Sequence, residues 1–160
     1  LPKIAKRVLE DYDHTIAENK LQFKEVFSGD LPEIQTDLFL LKTIFHVLIA
    51  NAVNYTPAEG TITMTISVDP TRTNTFLLTV KDTGYGIPKD QQEKIFTKIF
   101  RATNVKTKVI AGNGLGLYIV KLMLALNGGE IWFTSEENKG SSFMVALPFV
   151  PKRIESSPSA

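Results

Sequence analysis

Cysteine is absent from the 160 residues, which excludes disulfide bonds and thiolate metal sites. The chain also lacks strong charge, since its formal net charge is +1, so we expect no broad surface for nucleic acid or anionic lipid. No apolar run approaches the roughly 20 residues that a membrane span needs, and the sequence shows no secretory signal peptide pattern. We therefore expect a cytoplasmic segment without direct membrane contact, although its parent protein could be membrane-anchored.

The composition that is present is that of an ordinary globular domain, with 43% hydrophobic and 22% charged residues. A chain of this length can bury a sizeable core as one unit. We see no internal repeat and no domain boundary. We expect one domain over residues 1–150, followed by a disordered tail over the Ser- and Pro-rich residues 151–160.

Hydrophobic periodicity predicts three main helices: one over residues 3–18, one from the N-cap Asp37 to Tyr55, and one after the glycines that end at 116. Asn113 is the expected N-cap of the third helix. The predicted core faces are Ile4, Val8, Tyr12 and Ile16 in the first helix; Leu41, Ile44, Phe45, Leu48 and Ala52 in the second; and Leu115, Ile119, Leu122, Met123 and Leu126 in the third.

Alternating or apolar segments joined by turn residues predict about five strands. These strands are residues 21–27, 61–68, 76–81, 130–135 and 142–147, with a further short helix over 88–96. Because adjacent strands are joined by hairpins, the pattern favours an α+β fold. We expect a two-layer sandwich, in which a mixed, mostly antiparallel sheet packs on the three helices. Residues 101–113 lack apolar periodicity and predict a mobile lid.

Asp82 is the sharpest single sign of a binding site. It shares strand parity with Phe76, Leu78 and Val80, so its carboxylate should point into the core. An inward carboxylate is costly unless hydrogen-bond donors reach it. One interpretation is a structural aspartate that accepts from the amides of its own turn. The other is an acceptor for the exocyclic amine of a purine, with nearby glycines leaving room for the ring.

Asn51 is a polar residue inside an apolar helix, where its side chain is expected to have a hydrogen-bonding or ligand-binding role. It lies on one edge of that helix together with Val47, Asn54 and Tyr55. An amide oxygen can bind Mg²⁺ without adding negative charge beside a polyphosphate. A structural hydrogen bond between helices is the alternative, and for an isolated asparagine it is the better one.

Residues 110–121 combine three spaced glycines with the start of a helix. Glycines let the backbone approach a ligand, and free N–H groups at a helix start attract anions. The segment lacks the GK[ST] ending of a P-loop and the preceding strand of a dinucleotide fingerprint.

Taken together, four segments resemble the catalytic ATP-binding domain of bacterial-type sensor histidine kinases, within the GHKL ATPase superfamily. The segments occur in the family's order as Asn51-Ala52 with Tyr55-Thr56, then residues 82–87, 96–102 and 112–117, which match the N, G1, F and G2 boxes. The closing strands at 128–132 and 139–143 are also similar. The resemblance spans roughly residues 3–150.

The resemblance implies ATP and Mg²⁺ as cofactors and assigns roles residue by residue. Asp82 would bind the adenine amine, Asn51 the metal, and Tyr55 would pack against the nucleotide. The remaining implied nucleotide-binding residues are Gly84, Gly86, Ile87, Arg101, Lys106, Lys108, Gly112, Gly114, Leu115, Gly116, Leu117 and Ser142. Such a domain needs positioning and charge stabilisation more than covalent chemistry.

Two positions depart from the family pattern. Val47 stands where many members have asparagine, and Asn54 stands where many have lysine or arginine. ATP binding should survive both changes, whereas the rate of transfer is open. The phosphoacceptor histidine is expected on a separate dimerisation and phosphotransfer domain, because His14 and His46 suit surface or structural roles better.

The expected function is therefore transfer of the γ-phosphoryl group to a histidine of that domain, with a response regulator receiver domain as a further partner. Two alternatives stay open. One is a gyrase- or chaperone-type ATPase, which would need a general-base glutamate where Val47 stands. The other is a degenerate ATP-sensing or protein-interaction module without catalysis.

Overall fold

The computed structural model describes residues 1–27, 31–105 and 114–151. The helices are α1 (Pro2–Glu10), α2 (Asp13–Glu18), α3 (Leu38–Tyr55) and α4 (Gly116–Leu126), with 3₁₀ turns at Lys89–Lys94 and Thr103–Val105. The strands are β1 (Gln22–Phe27), β2 (Ile34–Gln35), β3 (Thr61–Val68), β4 (Thr75–Asp82), β5 (Glu130–Glu136), β6 (Gly140–Pro148) and β7 (Val150–Pro151).

Five strands form one mixed sheet in the order β1-β3-β4-β6-β5. Strand β1 runs parallel to β3, while the β3–β4, β4–β6 and β5–β6 pairs are antiparallel. This arrangement confirms the predicted α+β fold with a mixed, mostly antiparallel sheet packed on helices. The short strands β2 and β7 pair separately, so Pro151 belongs to a ladder with Ile34 and not to the predicted tail.

Helix α3 is the central element of the core. The side chain of Asp37 caps it by accepting from the N–H groups of Phe39 and Leu40, as the sequence predicted. All five core residues predicted for this helix are buried. By length and composition α3 would suffice to cross a membrane, but its buried residues pack into the core of this domain.

The inner face of the sheet supplies the other half of the core. Alternate residues of β3 and β4 are almost fully buried: Ile62, Met64 and Ile66 on one strand, and Phe76, Leu78 and Val80 on the other. Asp82 continues this parity and is 6% exposed, which confirms its predicted inward direction. The strand alternation therefore positions a carboxylate at the end of an apolar layer.

Two helix predictions were wrong. Residues 3–18 form two helices, because the N–H groups of Asp11 and Tyr12 bond to carbonyls three residues back, at Val8 and Leu9, which interrupts the α-helical pattern. The Tyr12 ring lies against His46. In α4 the N-cap is Leu115, not Asn113, and the buried residues are Val120 and Leu124. Nearly every residue of α4 is apolar, so periodicity could not select its buried face. The predicted segment at 88–96 is a 3₁₀ turn over Lys89–Lys94 that follows Pro88.

Candidate functional site

A cavity of about 210 Å³ lies between α3, the end of β4 and the start of α4. Helix α3 lines it with Asn51, Asn54 and Tyr55, and the β4 end lines it with Asp82, Gly86 and Ile87. Arg101, Gly114, Gly116 and Leu117 close the remaining side. The cavity thus draws residues from all four segments that the sequence singled out.

Asp82 has the structural hydrogen bonds of the first interpretation, and its second oxygen leaves room for the other. Its Oδ1 accepts from the backbone N–H of Gly84 at 2.8 Å and from that of Ser141 at 3.2 Å. Among the residues that the structure describes, none donates to Oδ2. One oxygen therefore fixes the turn, while the other is available as an acceptor beside the cavity.

The protonation of Asp82 follows from its burial. Loss of water around the carboxylate raises its pKa from 3.8 to about 6, against the opposing effect of the two amide donors. The group is still mainly ionised at neutral pH, so it presents an acceptor and not a donor. Such an acceptor suits an amino group, including the exocyclic amine of a purine.

Helix α3 runs along the cavity and contacts both of its ends. Its C-terminal end meets the turn after Asp82, where the carbonyl of Tyr55 accepts from the N–H of Tyr85 at 3.1 Å. Two turns earlier, Val47 lies against Gly116, since a Cβ on that glycine would be 3.1 Å from a Val47 methyl group. The cavity therefore runs from the aspartate at one end to the start of α4 at the other.

The start of α4 offers backbone donors at that second end. The helix has eleven residues and no side-chain hydrogen bond at its N-cap. Its first N–H groups have no partner within the helix, and they favour anions. Gly114, just before it, has φ +71 and lies against the carbonyl of Phe100, a place where a side chain would not fit.

Gly140 closes the opposite side of the aspartate. It has φ +105, and a Cβ there would overlap the carbonyl oxygen of Asp82. Only glycine allows β6 to begin this close to the end of β4, which brings the Ser141 amide within reach of the carboxylate. The sequence gives no signal for this contact, because it depends on the pairing of β6 with β4.

The segment after Arg101 is anchored in its first residues. Thr103 donates its N–H to Gln91, whose side-chain amide donates back to the Thr103 hydroxyl, at 2.8 and 2.7 Å. Asn104 donates to the carbonyl of Gly86 at 3.1 Å. Residues 103 and 104 thus have hydrogen-bond partners outside the segment, while residues 106–113 of the predicted lid over 101–113 lie outside the described part of the chain. The mobility of the segment stays a prediction.

Apart from Ser142, the predicted site residues separate into three groups. Those that line the cavity are Asn51, Tyr55, Asp82, Gly86, Ile87, Arg101, Gly114, Gly116 and Leu117. Gly84 and Leu115 lie next to it, the first as a donor to Asp82 and the second as the N-cap of α4. Lys106, Lys108 and Gly112 fall outside the described residues.

Ser142 is not brought to the cavity. Its hydroxyl donates to the Met144 sulfur at 3.4 Å, and by strand alternation it points away from Phe143. The neighbouring Ser141 lines the cavity in its place. The closing-strand motif was therefore assigned one residue too late.

Several cavity residues were not predicted as such. The unexpected ones are His46, Val47, Ala50, Asn54, Ile95, Phe100, Ala102, Ser141 and Phe143. A signal existed for four of them, since Val47 and Asn54 lie on the Asn51 edge of α3, and His46 and Ala50 are spaced to share an edge with Asn54. The others depend on tertiary contacts.

A divalent ion could be held only by a small set of protein ligands. No group of three or more His, Cys, Asp or Glu side chains occurs within the described residues. Helix α3 offers two amide oxygens to the cavity, those of Asn51 and Asn54, and the sequence prediction assigns the metal to Asn51. This set fits Mg²⁺ that takes most of its ligands from a polyphosphate and water.

Residues 36–151 match the family described as histidine kinase-, DNA gyrase B-, and HSP90-like ATPase. The sensor histidine kinase WalK of Bacillus subtilis (strain 168) is 35% identical over 127 residues, which are 77% of this chain and 21% of WalK. The adaptive-response sensory kinase SasA of Crocosphaera subtropica is 34% identical over 148 residues, or 92% of this chain and 38% of SasA.

The crystal structure of full-length ShkA in complex with AMPPNP superposes with a TM-score of 0.80 and 27% identity. It covers 94% of this chain, which corresponds to 30% of ShkA. The chain spans well under half the length of these relatives, so it corresponds to one part of such proteins.

Proposed function

The chain belongs to the family of histidine kinase-, DNA gyrase B-, and HSP90-like ATPases, and from this premise we propose that it positions Mg-ATP for transfer of the γ-phosphoryl group to a histidine. That histidine would lie on a separate dimerisation and phosphotransfer domain of a two-component sensor kinase. The observation that carries the proposal is Asp82, whose Oδ1 is fixed by two amides while Oδ2 is available beside the cavity.

In the proposed complex the adenine lies at the aspartate end and the phosphates at the α4 end. Asp82 accepts from the exocyclic amine, and the ring of Tyr55 packs against the nucleotide. The N–H groups at Gly116 and Leu117 face the phosphates. Asn51 would hold a Mg²⁺ ion, which would supply positive charge to the phosphates.

Transfer is favoured over hydrolysis because the described cavity has no carboxylate placed to activate water. Asp82 is the one acidic side chain that lines it, and it lies at the base end. Val47 offers only methyl groups where a gyrase-type ATPase needs a general base. In the proposed reaction the nucleophile is the histidine of the separate domain.

The exposed apolar face of α4 is the surface on which we propose that the histidine-bearing domain docks. Ile119, Leu122 and Leu126 are 43%, 48% and 87% exposed, and they follow directly on the cavity-lining Gly116 and Leu117. An apolar stripe at the mouth of a nucleotide site would bring a partner helix to the terminal phosphate. A response regulator receiver domain would act later, in the cytoplasm, by accepting the phosphoryl group from that histidine.

Binding and hydrolysis by the isolated domain separate this function from its alternatives. We expect calorimetric binding of ATP and ADP that is stronger with Mg²⁺, together with very slow steady-state hydrolysis. Rapid hydrolysis by the chain alone would favour a gyrase-type ATPase. Binding without hydrolysis, and without transfer to an added phosphotransfer domain, would identify a non-catalytic sensor. Absence of nucleotide binding would refute the proposal outright.

A further inference from the structure

His46 is a cavity residue that the proposed chemistry does not use. It lies on α3 and lines the cavity beside Val47, yet its side chain is exposed. His46 is nine residues before Tyr55, and at 1.5 Å per residue the two are about 13 Å apart along the helix axis, with Tyr55 at the aspartate end of the cavity. That distance brings it to the end of the cavity where α4 begins.

The position of His46 is set by a contact from outside α3. The hydroxyl of Tyr12, between α1 and α2, lies 3.1 Å from both ring nitrogens of His46. The two rings also contact each other, with centroids 5.4 Å apart. Burial raises the pKa of Tyr12 to about 12, so its hydroxyl keeps its proton at neutral pH and can donate.

This contact fixes the ring without selecting a tautomer. Both nitrogens are 3.1 Å from the same hydroxyl, so the hydroxyl does not lie along the lone pair of either one, and it can also donate to the carbonyl oxygen of His46 at 3.4 Å. A neutral imidazole carries one N–H and can donate one hydrogen bond through it. A donor at this end of the cavity suits a phosphate oxygen.

We infer that His46 binds the terminal phosphates of the nucleotide and that Tyr12 positions it, which couples the α1–α2 segment to nucleotide binding. The inference rests on the proposed function, because it takes the orientation of the nucleotide from it. Val47 contributes only methyl groups at this point, so His46 is the polar side chain that α3 presents there. Tyr12 is a positioning residue, since it acts through the imidazole.

Calorimetric titrations with ATP, ADP and AMP test this assignment on the purified domain. His46→Ala should weaken ATP binding about tenfold, the effect of losing one hydrogen bond to a charged acceptor, and leave AMP binding unchanged. His46→Gln, whose amide can donate from a similar position, should restore most of the affinity. His14→Ala is the matched control, because His14 is 90% exposed on α2, and it should bind like the wild type.

Tyr12→Phe tests the positioning role, since it keeps the ring and removes the hydroxyl. We expect about threefold weaker ATP binding in the wild-type background and no further loss in the His46→Ala background. Hydrogen exchange over residues 2–18 should slow on ATP addition in the wild type and not in His46→Ala.

The outcomes are separable. Wild-type ATP affinity in His46→Ala, or an equal loss for ATP and AMP, would overturn the assignment of His46 and leave the proposed function intact. Additive losses in the double variant would overturn the role of Tyr12. A wild-type domain that binds no adenine nucleotide would overturn both the inference and the proposed function.

Discussion

Replacing Asp82 with asparagine changes one atom of the site and little of its shape. The amide oxygen of asparagine can keep the two bonds that Oδ1 accepts from Gly84 and Ser141. The amide nitrogen then replaces Oδ2, the atom proposed to face the base amine. Two donors would meet there, and a lost or unsatisfied hydrogen bond of this kind costs about 1–3 kcal/mol. We therefore expect affinity for ATP and ADP to fall roughly 5- to 150-fold.

The same substitution should not destabilise the fold at neutral pH. The pKa of Asp82 rises from 3.8 to about 6 on folding, so its ionised form disfavours the folded state. At 1.36 kcal/mol per pKa unit the rise corresponds to roughly 3 kcal/mol. A raised pKa stabilises the fold below pH 4, and this contribution is lost as the pH rises through 6. Asp82→Asn removes that dependence and should be at least as stable as the wild type at pH 7.

The assay pairs calorimetric ATP titration at pH 7.5 with thermal unfolding between pH 4 and 8. Asp13→Asn is the control for the charge change, since Asp13 is exposed on α2. We expect the melting temperature of the wild type to fall relative to Asp82→Asn as the pH rises from 4 to 7. A folded Asp82→Asn with unchanged ATP affinity would refute the role given to Oδ2.

Three further substitutions test separate parts of the account. Asn51→Ala should weaken ATP binding with Mg²⁺ present and much less in EDTA, and an equal loss in both would make the residue structural. Gly140→Ala should cost about 2–4 kcal/mol of unfolding free energy from strain and overlap. Gly128→Ala, with φ +70 but only an ordinary 3.9 Å contact of the added Cβ with Pro148, should cost less in the same denaturant titration. Leu122→Arg should reduce transfer to an added phosphotransfer domain without changing ATP affinity, whereas Val26→Arg, at an exposed position of β1, should change neither.

Much of the fold could be predicted from local sequence patterns, because the packed structure keeps the helices and strands that these patterns favour. Strict alternation at 61–68 predicted β3, and the Asp37 cap predicted the start of α3. Hydrophobic periodicity did not predict the buried face of a helix in which nearly every residue is apolar. Helix α4 is apolar on every side, so its buried face depends on contacts with α3 and β5 that periodicity does not report.

The site was predictable to the extent that each residue has its own motif. Asp82 was found because strand parity made an inward carboxylate conspicuous. Ser141 and Gly140 were missed as partners of that carboxylate, since their approach depends on the register of β6 against β4. The contact of His46 with Tyr12, 34 residues earlier, was not predicted, because it depends on how the segment between α1 and α2 packs on α3. No local pattern encodes that contact.

The most direct measurement of the central claim is the fate of the γ-phosphoryl group when the phosphoacceptor is supplied in trans. The domain is mixed with the proposed dimerisation and phosphotransfer domain, Mg²⁺ and γ-labelled ATP, and the label on each protein is measured over time. The account predicts an acid-labile, alkali-stable phosphohistidine on the phosphotransfer domain, no label on His14 or His46, and little free phosphate. Rapid release of phosphate, or tight ATP binding with an unlabelled phosphotransfer domain, would contradict it.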